Sequence, residues 1–262
     1  MTIAGSDSGG GAGIQADLRT FAFHKVHGTS AITCVTAQNT LGVTRVDALP
    51  PESVTAQVAA IVSDIGVQAV KTGMLLNQAI IAAVAQQAEA LQLPNFVVDP
   101  VMVSRVGAQL IDDDAISTLR SGLIPLATIV TPNRYEAQLL SGLSIHTLAD
   151  MEAATRQIYQ LGAKAVLVKG GGMEGLLRGV DVFFDGDRLE TLRTEQVETK
   201  NTHGTGCTLS ASIAAHLALG HDLRSSVRLA KDYVTCALKF PLDIGKGQGP
   251  VGHFFPLLNL LP

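Results

Sequence analysis

The sequence predicts an α/β fold in which helices cover both faces of a mainly parallel β-sheet. Short runs rich in Val, Ile and Thr alternate with longer segments whose apolar residues recur at helical spacing. Parallel strands need crossover connections, and the helices of those connections cover the sheet. No linker rich in Ser, Gly or Pro, no internal repeat and no block of like charge interrupts this pattern. We therefore predict that residues 1–262 form a single domain.

Composition narrows the function classes. The chain has 262 residues, of which 47% are hydrophobic and 16% charged, and its formal net charge is −4. This combination excludes intrinsic disorder and argues against a nucleic-acid-binding protein. Three widely spaced cysteines without a CxxC motif predict neither a disulfide framework nor a zinc site. The sequence shows no secretory signal and no apolar run long enough for a bilayer span, so we expect a cytoplasmic protein without a membrane partner.

Strands are predicted wherever β-branched residues cluster between turn signals. Asp185-Gly186, between two such runs, is typical of a hairpin turn. The first predicted strand ends near Ala4. The next ones cover, in chain order, 28–36, 43–46, 67–70, 96–98, 128–130 and 165–168, and a hairpin follows over 180–194.

Helices are predicted where apolar or small residues recur at a period of 3.6. Pro51 can begin one of them, because proline lacks only an N–H group that the first helical turn leaves unbonded. The first predicted helix begins near Gly13 and the second at Pro51. Four more cover 77–91, 147–161, 205–219 and 222–239.

Polar and glycine-rich segments follow the predicted strands, at the edge where ligands bind in open α/β sheets. These segments are Gly5-Ser6-Asp7, Gln38-Asn39, Lys71-Thr72-Gly73-Met74, Asp99-Pro100, Thr131-Pro132-Asn133 and Lys169-Gly170-Gly171.

Two glycine loops compete for a phosphate-binding role. The first glycine loop, residues 9–16, satisfies the dinucleotide fingerprint with Gly11, Gly13 and Ala16. A nicotinamide enzyme needs an acidic residue about 20 positions further on, and none lies between Asp17 and Asp47, which argues against a dehydrogenase. A Walker A sequence occurs nowhere in the chain.

The second glycine loop, residues 201–208, directly precedes a strongly helical stretch. Its glycines allow backbone N–H groups to converge at a helix start, where the helix dipole favours an anion. Cys207 in the first helical turn has two interpretations: a small buried apolar residue, or a thiol whose pKa the helix N-terminus lowers. Cys34 and Cys236 are interpreted as structural residues.

These motifs together resemble the hydroxymethylpyrimidine/phosphomethylpyrimidine kinases of thiamine biosynthesis, in the ribokinase-like superfamily. The resemblance covers essentially the whole chain and implies a three-layer α/β/α sandwich. The family uses ATP and magnesium to phosphorylate 4-amino-5-hydroxymethyl-2-methylpyrimidine and then its monophosphate. The segments that carry the resemblance are residues 4–7, 10–17, 36–40, 71–74, 99–102, 131–133, 168–171 and 201–208.

The resemblance also implies roles for individual residues. Cys207 would act as the base, and Gly204, Thr205 and Gly206 would complete an anion hole. The implied substrate contacts are Gln38, Asp17, Met74, Val101 and Gly5, and the implied nucleotide or phosphate contacts are Asn133, Lys169, Thr208 and Lys231. Asp99 and Glu136 lie where the family has acids around the metal and phosphates. A homodimer is expected because relatives often form one.

The chain departs from the family pattern at two places: Ser104-Arg105-Val106-Gly107 replaces a Lys-Ser-Gly-like segment, and Gly172 stands where His is frequent. Both departures concern lid contacts rather than the reaction.

Residue chemistry leaves alternatives open. An amide such as Gln38 suits a ring nitrogen beside an amino group, but it is also common in turns. Glu136 could be a solvated helix carboxylate, Met74 a core residue, and His24, His27 and His203 structural or surface residues. Pyridoxal kinase shares the fold but usually has Asp at the position of Cys207. A catalytically silent nucleotide-binding regulator is a further alternative, and Asp99, Glu136 and Cys207 argue against it.

Overall fold

A computed structural model of the chain describes residues 1–102 and 111–258. Its strands form one nine-stranded sheet in the order β3-β2-β1-β4-β5-β6-β7-β8-β9 within this described part. The strands are β1 Thr2–Asp7, β2 Ser30–Gln38, β3 Val43–Ala48, β4 Val70–Thr72, β5 Phe96–Val98, β6 Ile129–Val130, β7 Val166–Val168, β8 Asp181–Phe184 and β9 Leu189–Leu192. Strands β2, β1, β4, β5, β6 and β7 pair in parallel, whereas β3, β8 and β9 pair antiparallel at the two ends.

Helices cover both faces of the sheet. They are α1 Gly13–Phe23, α2 Pro51–Asp64, α3 Gln78–Ala90, α4 Asp113–Thr118, α5 Arg134–Ser141, α6 Leu148–Tyr159, α7 Thr205–Ala218 and α8 Leu223–Lys239. One apolar cluster lies under α2 to α6 and the other under α1, α7 and α8. Strand residues alternate between the clusters, so Val97 packs in one while Phe96 and Val98 pack in the other. The predicted α/β/α sandwich with a mainly parallel sheet is confirmed.

Two helices were absent from the sequence prediction. Helix α4 has only 6 residues and α5 only 8, so neither shows a full helical period in the sequence. Helix α5 nevertheless has a start signal in the sequence. The side chain of Asn133 accepts from the Glu136 N–H, and Glu136 accepts from the Asn133 N–H, which is a complete capping box.

Strand β4 lies further along the chain than predicted. Lys71 and Thr72 belong to it, although the prediction ended the strand at Val70. A lysine in the middle of a buried strand contradicts sequence propensity, and the reason it is tolerated is an ion pair with Asp17 of α1.

The carboxyl ends of the parallel strands bring the predicted polar segments to one edge. Asp7 ends β1 and Gln38 ends β2, while Asp99, Thr131 and Lys169 directly follow β5, β6 and β7. The order in which successive strands are added to the sheet changes direction at β1, because β2 lies on one side of it and β4 on the other. A crevice at such a reversal is the usual ligand position in open α/β sheets.

Among the described residues, no helix combines the length and the apolar character that crossing a membrane requires. The atypical segment 104–107 lies outside the described residues.

Candidate active site

The two glycine loops, which the sequence analysis treated as competitors, pack against each other. Gly204 has a φ of +84°, and a Cβ there would stand 1.9 Å from the carbonyl oxygen of Gly11. A Cβ at Gly11 would in turn meet the His203 ring at 2.2 Å. Glycine is therefore required on both sides of the contact, and the loops form one structure.

Helix α7 starts at this contact and points free N–H groups outward. The hydroxyl and N–H of Thr205 both donate to the Thr202 carbonyl. The N–H groups of Gly206 and Cys207 have no acceptor among the described residues. Unpaired N–H groups at a helix start, together with the helix dipole, are an arrangement that favours an anion.

The Cys207 thiol contradicts the expectation that a helix N-terminus lowers its pKa. Burial raises the pKa of this thiol to about 11, although the charge of Lys71 and a hydrogen bond from the Gly13 N–H act in the opposite direction. Burial has the larger effect, because the hydration energy that a buried thiolate loses exceeds the stabilisation that one helix end and one lysine give it. Cys207 is therefore a neutral thiol at pH 7.

Beneath the thiol lies an ion pair between Lys71 of β4 and Asp17 of α1. Both side chains have no exposed surface, and Nζ lies 2.8 Å from Oδ2. The Thr2 hydroxyl donates to the same oxygen at 2.7 Å. Burial alone would lower the pKa of Lys71, but the charge of Asp17 raises it above the ordinary value. The predicted contact between Asp17 and a substrate amino group has no support here, because Lys71 and Thr2 occupy the carboxylate.

Asp99 lies at the carboxyl end of β5, close to the start of α7. Its Oδ1 accepts from the Lys169 ammonium at 2.8 Å and from the Thr131 hydroxyl at 3.3 Å, and its Oδ2 accepts from Ser210 at 3.1 Å. A Cβ added to Gly206 would stand 3.3 Å from the Lys169 Nζ. Lys169 thus places a cation beside the N–H groups of α7, as a bound phosphate would need.

Glu136 is a buried carboxyl group near the same acids. Burial raises its pKa to about 8, with a further contribution from the charge of Asp99, while Lys169 and the N–H groups of Asn133 and Met102 oppose the rise. Glu136 is 2% exposed, so the interpretation as a solvated helix carboxylate is wrong. Asn133 is the N-cap of α5, and its side-chain oxygen is used by that helix.

These acids fit a magnesium ion held through water. The described residues contain no cluster of three or more His, Cys, Asp or Glu side chains that could form a protein-only metal cage. Magnesium needs no such cage, since one or two carboxylates, substrate phosphates and several waters complete its coordination. Asp99 and Glu136 are near enough for the charge of one to raise the pKa of the other, which a dication between them would relieve.

Two predicted phosphate contacts are engaged elsewhere. The Lys231 ammonium donates to Asp181 at 2.6 Å and to the Gly179 carbonyl at 2.7 Å, and Asp181 also accepts from the Gly170 N–H. The Thr208 hydroxyl is fully buried and donates to the Gly204 carbonyl. Both residues therefore stabilise the loops that carry the site rather than facing it.

The predicted substrate contacts lie around β1 and β2. A Cβ at Gly5 would meet the Cys34 Sγ at 2.7 Å and the Met74 Cε at 3.1 Å. Met74 and Val101 are partly exposed, unlike most apolar residues at this edge. Gln38 is partly buried, and its amide nitrogen lies 3.4 Å from Nε2 of His203.

Sequence reasoning missed three residues of the site: Asp7, Lys71 and His203. The His203 Nε2 lies 2.9 Å from Oδ2 of Asp7. Asp7 and Lys71 stand in the strand-end motifs, which was the available signal, but no local pattern shows that a loop 196 positions away supplies the partner of Asp7.

Comparison with known proteins agrees with this geometry. The phosphomethylpyrimidine kinase family model matches residues 7–252. A hydroxymethylpyrimidine/phosphomethylpyrimidine kinase of Synechococcus elongatus is 60% identical over 257 residues, covering 98% of this chain and 97% of the relative. A thiamine biosynthesis bifunctional protein of Geobacter sulfurreducens is 47% identical over 97% of this chain and 51% of its own length.

Solved structures show the same fold. An ADP complex of Bacillus subtilis pyridoxal kinase has a TM-score of 0.92 and 40% identity, and covers 98% of both chains. A phosphomethylpyrimidine kinase of Clostridium difficile has a TM-score of 0.80 and 41% identity, with 89% of this chain and 96% of that chain covered. With free N–H groups at a helix start beside two acids and a lysine, and with a family model and relatives that match nearly the whole chain, the chain belongs to the phosphomethylpyrimidine kinase family.

Proposed function

We propose that this kinase transfers the terminal phosphoryl group of ATP to 4-amino-5-hydroxymethyl-2-methylpyrimidine and then to the resulting monophosphate. The observation that carries the proposal is the meeting of the α7 N–H groups, Lys169 and Asp99 at one edge of the sheet. The identity to hydroxymethylpyrimidine/phosphomethylpyrimidine kinases over nearly the full chain supports the pyrimidine as the acceptor.

Phosphoryl transfer depends on positioning and charge neutralisation more than on covalent chemistry. The N–H groups of Gly206 and Cys207 and the Lys169 ammonium would hold the migrating phosphoryl group. A thiol with a pKa of about 11 is a weak base at neutral pH. Cys207 therefore orients the attacking hydroxyl as a hydrogen-bond partner. As the new P–O bond forms in a loose transition state, the hydroxyl proton passes late to an oxygen of the transferred phosphoryl group.

Magnesium belongs to the proposal as the partner of ATP. Asp99 and Glu136 would hold its water ligands, and when bound it neutralises phosphate charge. The Lys169 ammonium donates to the Asp99 carboxylate at 2.8 Å and thereby orients it. Gln38, Met74, Val101 and Gly5 are proposed to enclose the pyrimidine ring.

The test is ATP consumption with three acceptors side by side: the pyrimidine, its monophosphate and pyridoxal. We expect turnover with the first two, the pyrimidine being preferred over pyridoxal, and loss of turnover in EDTA that Mg²⁺ restores. Preference for pyridoxal would instead indicate a pyridoxal kinase. No ATP consumption with any acceptor would favour the silent regulator.

A homodimer of single-domain, cytoplasmic subunits completes the proposal. All six residues of the edge strand β3 are exposed, and Leu41, Val43 and Val46 at this edge are 70%, 51% and 41% exposed. Exposed apolar side chains at a sheet edge form a surface that proteins normally cover. Light scattering after size-exclusion chromatography would show a mass of two chains, and Val43→Lys should lower it to one.

A further inference from the structure

Asp7 and His203 form a pair that the proposed mechanism does not use. The Asp7 carboxylate is 3% exposed and accepts from the backbone N–H groups of Gly9, Gly11 and Ala12. Burial alone would raise its pKa, but the hydrogen bonds from His203 and the backbone lower the pKa below the ordinary value. Asp7 is therefore an ionised, acceptor-only group at neutral pH.

An acceptor-only partner fixes the proton on His203. Nε2 lies 2.9 Å from Oδ2 of Asp7, so this nitrogen must carry a hydrogen and donate it. The side-chain amide nitrogen of Gln38 lies 3.4 Å from the same Nε2. Two N–H donors cannot bond to each other, so the Gln38 amide gains nothing from His203 in that orientation.

The opposite amide orientation satisfies every group. If Oε1 of Gln38 faces His203, Nε2–H of the imidazole is shared between Asp7 and Gln38. The amide nitrogen then takes the position 3.3 Å from the Thr36 hydroxyl, which donates to the Ser6 carbonyl at 3.0 Å and can accept from the amide. Oxygen and nitrogen of an amide are assigned from such networks.

We propose that Asp7 and His203 fix the amide orientation of Gln38 and thereby select a ring that carries an amino group next to a ring nitrogen. In this orientation, Oε1 keeps one lone pair and Nε2 keeps one N–H for a ligand. An aminopyrimidine edge offers the matching donor and acceptor side by side, and only one amide orientation pairs with both. The inference rests on the proposed function and makes His203 a positioning residue that acts through Gln38.

The test compares two ligands in one assay: the KM of the pyrimidine and the inhibition constant of pyridoxal, which has no amino group. His203→Phe keeps a ring but removes the donor. We expect the pyrimidine KM to rise about 10- to 100-fold, as for a lost hydrogen bond in a buried site, with kcat changed less. The pyridoxal inhibition constant should change less than about 3-fold.

Further variants separate positioning from loop stability. His203→Gln retains an N–H donor, so the pyrimidine KM should rise less than in His203→Phe. Thr36→Val removes the hydroxyl that accepts from the Gln38 amide nitrogen, so it should also raise the pyrimidine KM. Adding His203→Phe to Gln38→Leu should change nothing further, because coupled residues are not additive. Asp243→Ala removes an exposed anchor of residues 200 and 201 and should leave both constants unchanged.

An active wild type whose pyrimidine KM is unchanged in folded His203→Phe and in Thr36→Val would overturn this inference alone. Multiplicative effects in the double variant would overturn it as well. A wild type that leaves the pyrimidine unphosphorylated would overturn the proposed function, and this inference with it.

Discussion

At the scale of single residues, burial decides what Cys207 can do. The helix start and Lys71 both favour a thiolate, yet the pKa rises to about 11. We predict that iodoacetamide alkylates Cys207 slowly at pH 7 and progressively faster up to pH 10. The rate is measured by mass spectrometry in a Cys34→Ser/Cys236→Ser background. A rate that levels off near pH 7 would mean that the thiolate forms there after all.

The raised pKa of Cys207 also sets the cost of removing its thiol. A general base is typically worth about 10²- to 10⁴-fold in rate, and an orienting thiol should be worth less. We predict that Cys207→Ala lowers kcat by about 10- to 100-fold on both acceptors while the fold, followed by circular dichroism, is retained. Wild-type kcat on both acceptors would reduce Cys207 to a packing residue.

Asp99 should matter for the reaction more than for acceptor binding. Asp99→Asn keeps the shape but removes the charge that pairs with Lys169 at 2.8 Å and that would face magnesium. We predict a fall in kcat of at least about 100-fold with a pyrimidine Kd within about 3-fold of wild type, as expected when transition-state charge is lost. Calorimetry provides the Kd, and equal losses in kcat and affinity would contradict the assignment.

Strand-end motifs identify single residues of the site better than they identify pairs. Asp99 and Lys169 could be predicted because each directly follows an apolar strand, and such ends share one edge. The ion pair of Lys71 with Asp17 joins residues 54 positions apart, and nothing local in the sequence specifies it. Pairing is a property of packing, so it appears only when the helices are placed on the sheet.

At the scale of elements, the start of α7 depends on a glycine pair. Gly204 and Gly220 flank the helix, and both have positive φ values, +84° and +87°. A Cβ at Gly204 would stand 1.9 Å from the Gly11 carbonyl oxygen, whereas a Cβ at Gly220 would meet nothing within 4 Å. An alanine would therefore have a strained backbone at either position, but only at Gly204 would its Cβ also clash with another residue.

We predict that Gly220→Ala costs about 1 kcal/mol of unfolding free energy, the usual cost of a left-handed alanine, with kcat unchanged. Gly204→Ala should cost more and should lower kcat by at least about 100-fold, because the two glycine loops must separate. Urea unfolding and steady-state kinetics on the same preparations test this. Equal effects at the two positions would show that the loop contact is dispensable.

Long periodic elements were predictable and short ones were not. Helices α3, α6, α7 and α8 agree with the predicted ranges to within about two residues at each end. Helix α5 was missed because its 8 residues give little periodicity, although its capping box was visible in the sequence.

At the scale of the whole molecule, two histidines of low pKa make stability depend on pH. Burial, with Arg19 adding to it, lowers the pKa of His253 to about 4, and burial with His24 and His221 nearby lowers that of His216 to about 4. In the unfolded chain these two histidines bind protons near pH 6.5, whereas in the folded chain they bind them only near pH 4. The stability that these two rings contribute is therefore fully present above about pH 6.5 and is lost as the pH falls towards 4, whereas protonation of Glu136, whose pKa is raised to about 8, acts in the opposite direction.

We predict that His253 contributes a loss of about 3 kcal/mol of unfolding free energy as the pH falls from 6.5 to 4, because burial lowers its pKa to about 4 in the folded chain. Urea titrations at several pH values measure the slope. His253→Gln should flatten it, whereas His27→Gln, at an exposed position, should not. Equal profiles for the wild type and His253→Gln would mean that the His253 ring is solvated.

The buried lysine of β4 has a consequence for how the chain chooses its strand alignment. Val70 packs in the cluster under α2 to α6, and Lys71 points to the opposite layer, where it pairs with Asp17. Sliding β4 by a single residue would turn every side chain to the other face. Lys71 would then enter an apolar layer without a counter-charge, and Asp17 would be left buried without its partner, at a cost of several kcal/mol. One ion pair thus makes the slipped sheet a poor competitor, so the strand beside the crevice has a single workable alignment.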